Sequence, residues 1–199
     1  MRIATKEYKV FSIEDVKNDE KLKEKVLQKY YDINVDFEGW YDGVYENWME
    51  DLKNYGFEDV KIYFTGFCSQ GDGACFISKN IKLSLLAEKL NFSSREIKVI
   101  KALQEQGYIY SELTHNNQYY HEYSTYFVIY DGYTRATWKH ILKIVSRLET
   151  ATKNLIIALS KGIYRDLQKE YEYLTSEDSI LETLKLNDYE FTEDGTIYP

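Results

Sequence analysis

The chain contains one proline, Pro199, and no Gly/Ser-rich stretch, so nothing along its 199 residues marks a linker between domains. It has two cysteines, Cys68 and Cys75, too few for a disulfide framework. No apolar run is long enough to span a bilayer, and no signal peptide or lipidation motif is recognisable, which points to the cytoplasm and no membrane partner. A phosphate-loop lysine, Glu-x-x-His pairs on facing helices and any internal repeat are also missing. The sequence therefore calls for no cofactor and no metal, and it lacks the signatures of lysine-bearing phosphate loops, helical di-metal centres and solenoids.

What is present is a core and a great deal of tyrosine. A hydrophobic fraction of 44% is enough for one α+β domain over residues 1–199 and rules out wholesale disorder. The 20 Tyr supply apolar area with a polar tip, suited to core edges and binding surfaces, although a coding preference for Lys, Asn, Tyr and Ile gives the same excess. A net charge of −8 argues against a protein whose whole surface grips nucleic acid. The charge is uneven: 32–60 and 171–199 are strongly acidic and 61–170 is mildly basic.

Periodicity predicts a short strand at Glu7-Tyr8-Lys9-Val10-Phe11, a capping box at Ser12-Ile13-Glu14-Asp15 and a charged helix from Asp19 to Tyr31. Trp40, Val44, Trp48, Leu52 and Tyr55 recur at helical spacing, giving a helix over 37–55 that Gly56 ends. Asp42, Glu46 and Glu50 lie on another face of it as a carboxylate stripe. Leu83, Leu86 and Leu90 mark a short helix, and Ser93-Ser94-Arg95-Glu96 opens a second that stops at Gly107. Strand-like runs follow at 108–113 and 119–130, joined by Thr114-His115-Asn116-Asn117-Gln118. Beyond them comes a helical pattern over 134–174, with Gly162 as its one expected break or kink. A capped helix after Ser176 and a closing hairpin or edge strand from Tyr189 complete the chain. The expected fold is an antiparallel or mixed sheet, including hairpins 59–78 and 108–130, packed by helices 37–55 and 134–174.

Between the strands of the first hairpin lies Phe64-Thr65-Gly66-Phe67-Cys68-Ser69-Gln70-Gly71-Asp72-Gly73-Ala74-Cys75-Phe76. A tight turn at Gly71-Asp72 pairs Gln70 with Gly73 and sets Cys68 opposite Cys75; a turn at Asp72-Gly73 shifts the register by one. Two thiols with His115 and His121 lack metal-ligand spacing. Backbone N–H groups freed by Gly71 and Gly73 would suit an anion, but Asp72 between them repels one. Cys68 or Ser69 as a nucleophile needs a base, for which His121 is the candidate. The plain structural reading is that Ser69, Gln70 and Asp72 satisfy the loop's own backbone.

Two further readings compete. An exposed carboxylate stripe with aromatic neighbours can imitate the phosphates of nucleic acid and fill a basic groove on a partner protein. The order helix, turn, helix, two-strand ribbon over 82–130, with Arg95, Lys98 and Lys101 on the second helix, is that of a winged helix and implies DNA as an alternative partner.

The glycine-punctuated run 64–76 resembles the motif aromatic-Ser-Gly-Phe-Trp-Ser-Gln-Gly-Asp-Gly-Ala-x-Phe of a group of small phage and prophage proteins, with Thr65 replacing Ser and Cys68 replacing Trp. The segments 163–174 and 189–195 are similar to the same group. The resemblance implies a phage or mobile-element accessory protein but carries no established activity. It favours a non-catalytic inhibitor of a host defence factor such as a CRISPR nuclease, binding through Ser69, Gln70, Asp72, His121 and the stripe Asp42, Glu46 and Glu50. The alternatives are a winged-helix regulator and a small nucleotide-binding protein or hydrolase built on the Ser69–Gly73 loop.

Overall fold

The structure, a computed structural model, describes residues 7, 9–115, 118–132 and 139–199. Tyr8 of the first expected strand, the Asn116-Asn117 tip and the 134–138 start of the long helix, with Trp138, lie outside the described residues. The fold is α+β with antiparallel sheets and a long C-terminal helix. The chain forms two compact units, Met1–Tyr41 with Lys169–Pro199, and Asp42–Gln168.

In the terminal unit, β1 (Val10–Phe11) pairs antiparallel with β6 (Phe191–Thr192). Ser12 starts α1 (Ile13–Asn18) with a complete capping box, and Asp19 caps α2 (Glu20–Lys29) by accepting from the Lys21 and Leu22 N–H groups. These helices and α7 (Glu177–Leu186) bury Val16, Leu22, Val26, Ile180, Leu184 and Phe191 against one another. Buried Asn34 is satisfied on both sides: its amide donates to the Leu174 carbonyl at 2.9 Å, and its oxygen accepts from the Thr183 hydroxyl at 2.7 Å.

The Asp42–Gln168 unit holds α3 (Asp42–Tyr55), β2 (Phe57–Phe64), β3 (Ala74–Ile81), α4 (Leu83–Lys89), α5 (Ser94–Glu105), β4 (Ile109–His115), β5 (Thr125–Asp131) and most of α6 (Lys139–Leu174). Its sheet has the order β2-β3-β4-β5, every pairing antiparallel. One face, carrying Ile62, Phe76, Leu113, Phe127 and Ile129, is buried. Ile109 at its end lines one small cavity together with Leu103 of α5 and Ile141, Leu142 and Val145 of α6.

Four expectations need correction. The 37–55 helix begins at Asp42, because Gly39 at φ 106 turns the backbone out of helical geometry; the Trp40 ring lies tilted against Tyr171 within the terminal unit instead. The 119–130 strand begins only at Thr125. Before it, the His121 N–H donates to Ser124 Oγ at 2.7 Å and the Tyr123 N–H to His121 Nδ1 at 3.1 Å, closing a local turn that competes with the ladder. Gly162 does not break α6, which runs on through it, and it serves as a socket: a Cβ there would sit 2.6 Å from the Trp48 ring, whose indole N–H donates to Asp166 at 3.2 Å. Finally, the first hairpin is not tight. Phe64 pairs with Ala74 and Tyr63 with Cys75, so 65–73 is a broad loop and the two thiols do not face each other.

Candidate functional site

The loop 65–73 is built from its stems inward. At its base the Thr65 N–H donates to the Gly73 carbonyl at 3.0 Å, and the Gly73 N–H donates to the Thr65 hydroxyl at 3.2 Å. Asp72 then turns its carboxylate back into the loop, accepting from the Cys68 N–H at 2.9 Å and the Ser69 N–H at 2.7 Å, while its own N–H donates to the Ser69 carbonyl. Gly71 supplies the positive φ, 109°, that the turn needs. The Cys68 and Ser69 amides are thus held by the protein's own carboxylate and the Gly73 amide by Thr65, so the loop is a closed structural turn that displays Ser69 and Gln70, both exposed.

Aromatic rings seat this turn. Tyr45 of α3 meets Phe64 edge-on, Phe64 stacks with Phe67 at 5.8 Å, and Phe67 stacks with Tyr164 of α6 at 5.5 Å. The Tyr164 hydroxyl donates to the Gly66 carbonyl at 3.2 Å. Its ionisation is pushed above the usual phenol range, first by desolvation and then by the neighbouring Asp72 charge.

The second wall is the 119–124 segment. A Cβ on Gly73 would lie 2.7 Å from His121 Cβ and 2.8 Å from its Cα, so glycine alone permits the two backbones to meet there. Tyr120 stacks flat on Tyr63 at 5.0 Å and sits 4.9 Å from the His115 ring. Lys161 of α6 reaches Glu122 at 3.6 Å and lies over the Tyr123 ring.

The structure therefore brings His121 to the loop, but through backbone packing. Its Nδ1 accepts from the Tyr123 N–H, and among the described residues no hydrogen bond joins it to Cys68 or Ser69. Cys75 is buried and its thiol is pushed up to about 12 by burial, whereas Cys68 is exposed in the loop. Among the described residues no three His, Cys, Asp or Glu side chains are grouped to hold a metal ion.

Asp42, Glu46 and Glu50 are exposed along α3, and among the described residues none has an ion-pair partner. Tyr45, beside Glu46, leads directly to Phe64 at the loop's edge, so stripe and loop occupy neighbouring parts of one unit. Arg95, Lys98 and Lys101 are exposed on α5, with Lys101 3.8 Å from Glu105. The helix, helix, ribbon order exists, but β4 also pairs with β3, so the ribbon is half of a larger sheet.

The sequence matches the domain of unknown function DUF8835 over residues 40–177. The chain belongs to this family. The family's span contains all of Asp42–Gln168, and hence the loop, the 119–124 wall and the acidic helix together. No curated protein and no solved structure matches the chain.

Sequence reasoning missed Tyr63, Tyr120 and Tyr164, which hold the loop in place. It also missed a row of exposed tyrosines on the open face of β4 and β5. The signal for that row was present in the alternation of Thr125–Asp131, which sends Tyr126 and Tyr130 away from the Phe127 and Ile129 face.

Proposed function

We propose that this protein acts by binding rather than by catalysis, as a phage or mobile-element accessory protein that inhibits a host defence nuclease. One observation carries the reading: α3 presents Asp42, Glu46 and Glu50 to solvent, unneutralised, beside a closed loop that displays Ser69 and Gln70. Carboxylates spaced one helical turn apart offer a basic groove a row of charge without a scissile phosphate. The hydrogen bonds that already close the loop lower the ordering cost of docking. The resemblance of 64–76 to phage proteins supports the biological setting.

The test is inhibition of DNA cleavage by a panel of CRISPR nucleases. The wild-type protein should inhibit at least one in competition with DNA, with affinity falling as salt rises. The triple variant D42K/E46K/E50K, on an exposed helix face, should fold normally and lose inhibition. Inhibition that neither salt nor charge reversal weakens would overturn the acidic-surface reading.

A further inference from the structure

The solvent face of the four-stranded sheet has a composition that the buried face cannot explain. Lys61 pairs with Ile77. The Ser78 to Leu113 register then sets Ile77 beside Thr114 and Lys79 beside Glu112, and β4 sets Thr114 against Tyr126, Glu112 against Val128 and Tyr110 against Tyr130. None of these residues is buried. Three of them are large aromatics left open to water, Tyr110 at 54%, Tyr126 at 50% and Tyr130 at 37% exposure. A tyrosine needs no such position for packing, and three on one sheet face form a contiguous platform.

Two lysines stand on the same face. Lys61 and Lys79 are exposed, and among the described residues neither has an ion-pair partner. The acids at this end of the sheet have partners of their own: the Tyr130 hydroxyl donates to Glu112 at 3.3 Å, Lys82 pairs with Glu58 at 2.6 Å and the Asn80 amide donates to Asp59 at 2.5 Å, while Tyr110 lies parallel to Tyr130 at 4.7 Å. Cations on β2 and β3 thus flank ring faces on β4 and β5. The Asp42–Gln168 unit has equal numbers of basic and acidic residues, so the excess negative charge of the chain lies in the terminal segments, away from this sheet in sequence.

We propose that this face binds single-stranded nucleic acid, with bases stacking on Tyr126 and on the Tyr110–Tyr130 pair and phosphates meeting Lys61 and Lys79. Every base offers a π-face, and an unstacked strand presents bases and phosphates on opposite sides, which is the division of rings and cations found here. A duplex keeps its bases stacked and has nothing to offer the rings. This proposal uses none of the residues of the acidic helix or the Ser69–Gly73 loop and stands apart from the inhibitory reading.

The test is fluorescence anisotropy of labelled oligo-dT and oligo-U of about 15 nucleotides with the full chain at low salt. A saturable rise is expected, absent or at least tenfold weaker for a duplex of the same length. With two phosphate contacts the logarithmic salt slope should be about −1.4. Y126A should weaken binding by about tenfold, and K61Q/K79Q should flatten the salt slope toward zero, with both variants keeping the wild-type circular dichroism and melting curve. No binding at low salt would overturn the proposal and leave the tyrosine face to a protein partner. Binding untouched by both variants, or lost instead with R95Q/K98Q/K101Q, would overturn it in favour of α5.

Discussion

Replacing Gly73 by alanine tests how the loop is held, because the added atom has nowhere to go. Its Cβ would stand 2.7 Å and 2.8 Å from His121 Cβ and Cα and 3.2 Å from the Tyr120 carbonyl oxygen, against the 3.4 Å or more of an ordinary contact. The His121 wall must therefore retreat by about 0.7 Å. It resists, since its backbone is locked twice by Ser124, as acceptor from the His121 N–H and as donor to the His121 carbonyl. Overpacking of this kind costs about 1–3 kcal/mol. Alanine recovers about 0.4–1 kcal/mol by restricting the unfolded chain. The net loss is about 1–2 kcal/mol, which for a chain of this length lowers Tm by about 2–8 °C. Gly43 is the matched control: it lies inside α3 with nothing within 4 Å of a new Cβ, so Gly43→Ala should gain about 0.5–1 kcal/mol and raise Tm. Thermal and urea melts of both variants decide the matter. Gly73→Ala as stable as wild type, alongside a stabilised Gly43→Ala, would show that the 119–124 segment does not pack on the loop.

Three other outcomes follow from the same geometry. Asp72→Ala removes the acceptor of two loop N–H groups and should cost about 1–2 kcal/mol in a urea melt; an unchanged midpoint would mean the carboxylate does not close the loop. A disulfide exchange reagent should label one thiol per native chain at pH 8, Cys68, and reach Cys75 only on unfolding, because burial holds that thiol near 12; two rapid equivalents would contradict the placement of Cys75. Glu96 and Asp15 are held below their ordinary carboxylate values chiefly by hydrogen bonds from Ser93 and Ser12. Their folded values being lower, their stabilisation is complete above the ordinary values of 4.5 and 3.8 and disappears as pH falls through the folded ones. Glu96→Gln should accordingly lose less stability than wild type between pH 7 and pH 3, and equal losses would count against the capping box.

The parts of the fold that were legible in the sequence are those whose signal is local. Ser12 and Ser93 announce capping boxes within four residues, and Gly56 ends α3 at a positive φ, where a Cβ would stand 2.9 Å from the Lys82 carbonyl oxygen. Both hairpins and the long helix followed from periodicity. What failed depended on distant partners. Gly162 reads as a helix breaker until Trp48, far away in sequence, is seen to occupy the space it leaves. The alternation through Tyr119–Tyr123 mimics a strand, yet the hydrogen bonds of Ser124 and His121 divert it into the wall that Gly73 touches. For the loop, the choice between cradle and closed turn depended on where Asp72 points, which spacing does not specify.

The two functional readings place opposite charges on different surfaces of the same unit, and this decides how they must be separated. Salt alone cannot do it, because screening weakens an acidic helix in a basic groove and a lysine-flanked platform under phosphates alike. Charge substitution can. Converting Asp42, Glu46 and Glu50 to lysine should abolish a protein contact made by α3, and the added positive charge can only leave unchanged or strengthen an oligonucleotide held on Lys61 and Lys79. Converting Lys61 and Lys79 to glutamine should do the reverse, weakening the oligonucleotide and sparing the inhibited nuclease. If the platform and the helix engaged one nucleoprotein target together, each variant would lose part of the affinity, and their combination would lose about the sum of the two free energies, since the surfaces share no residue.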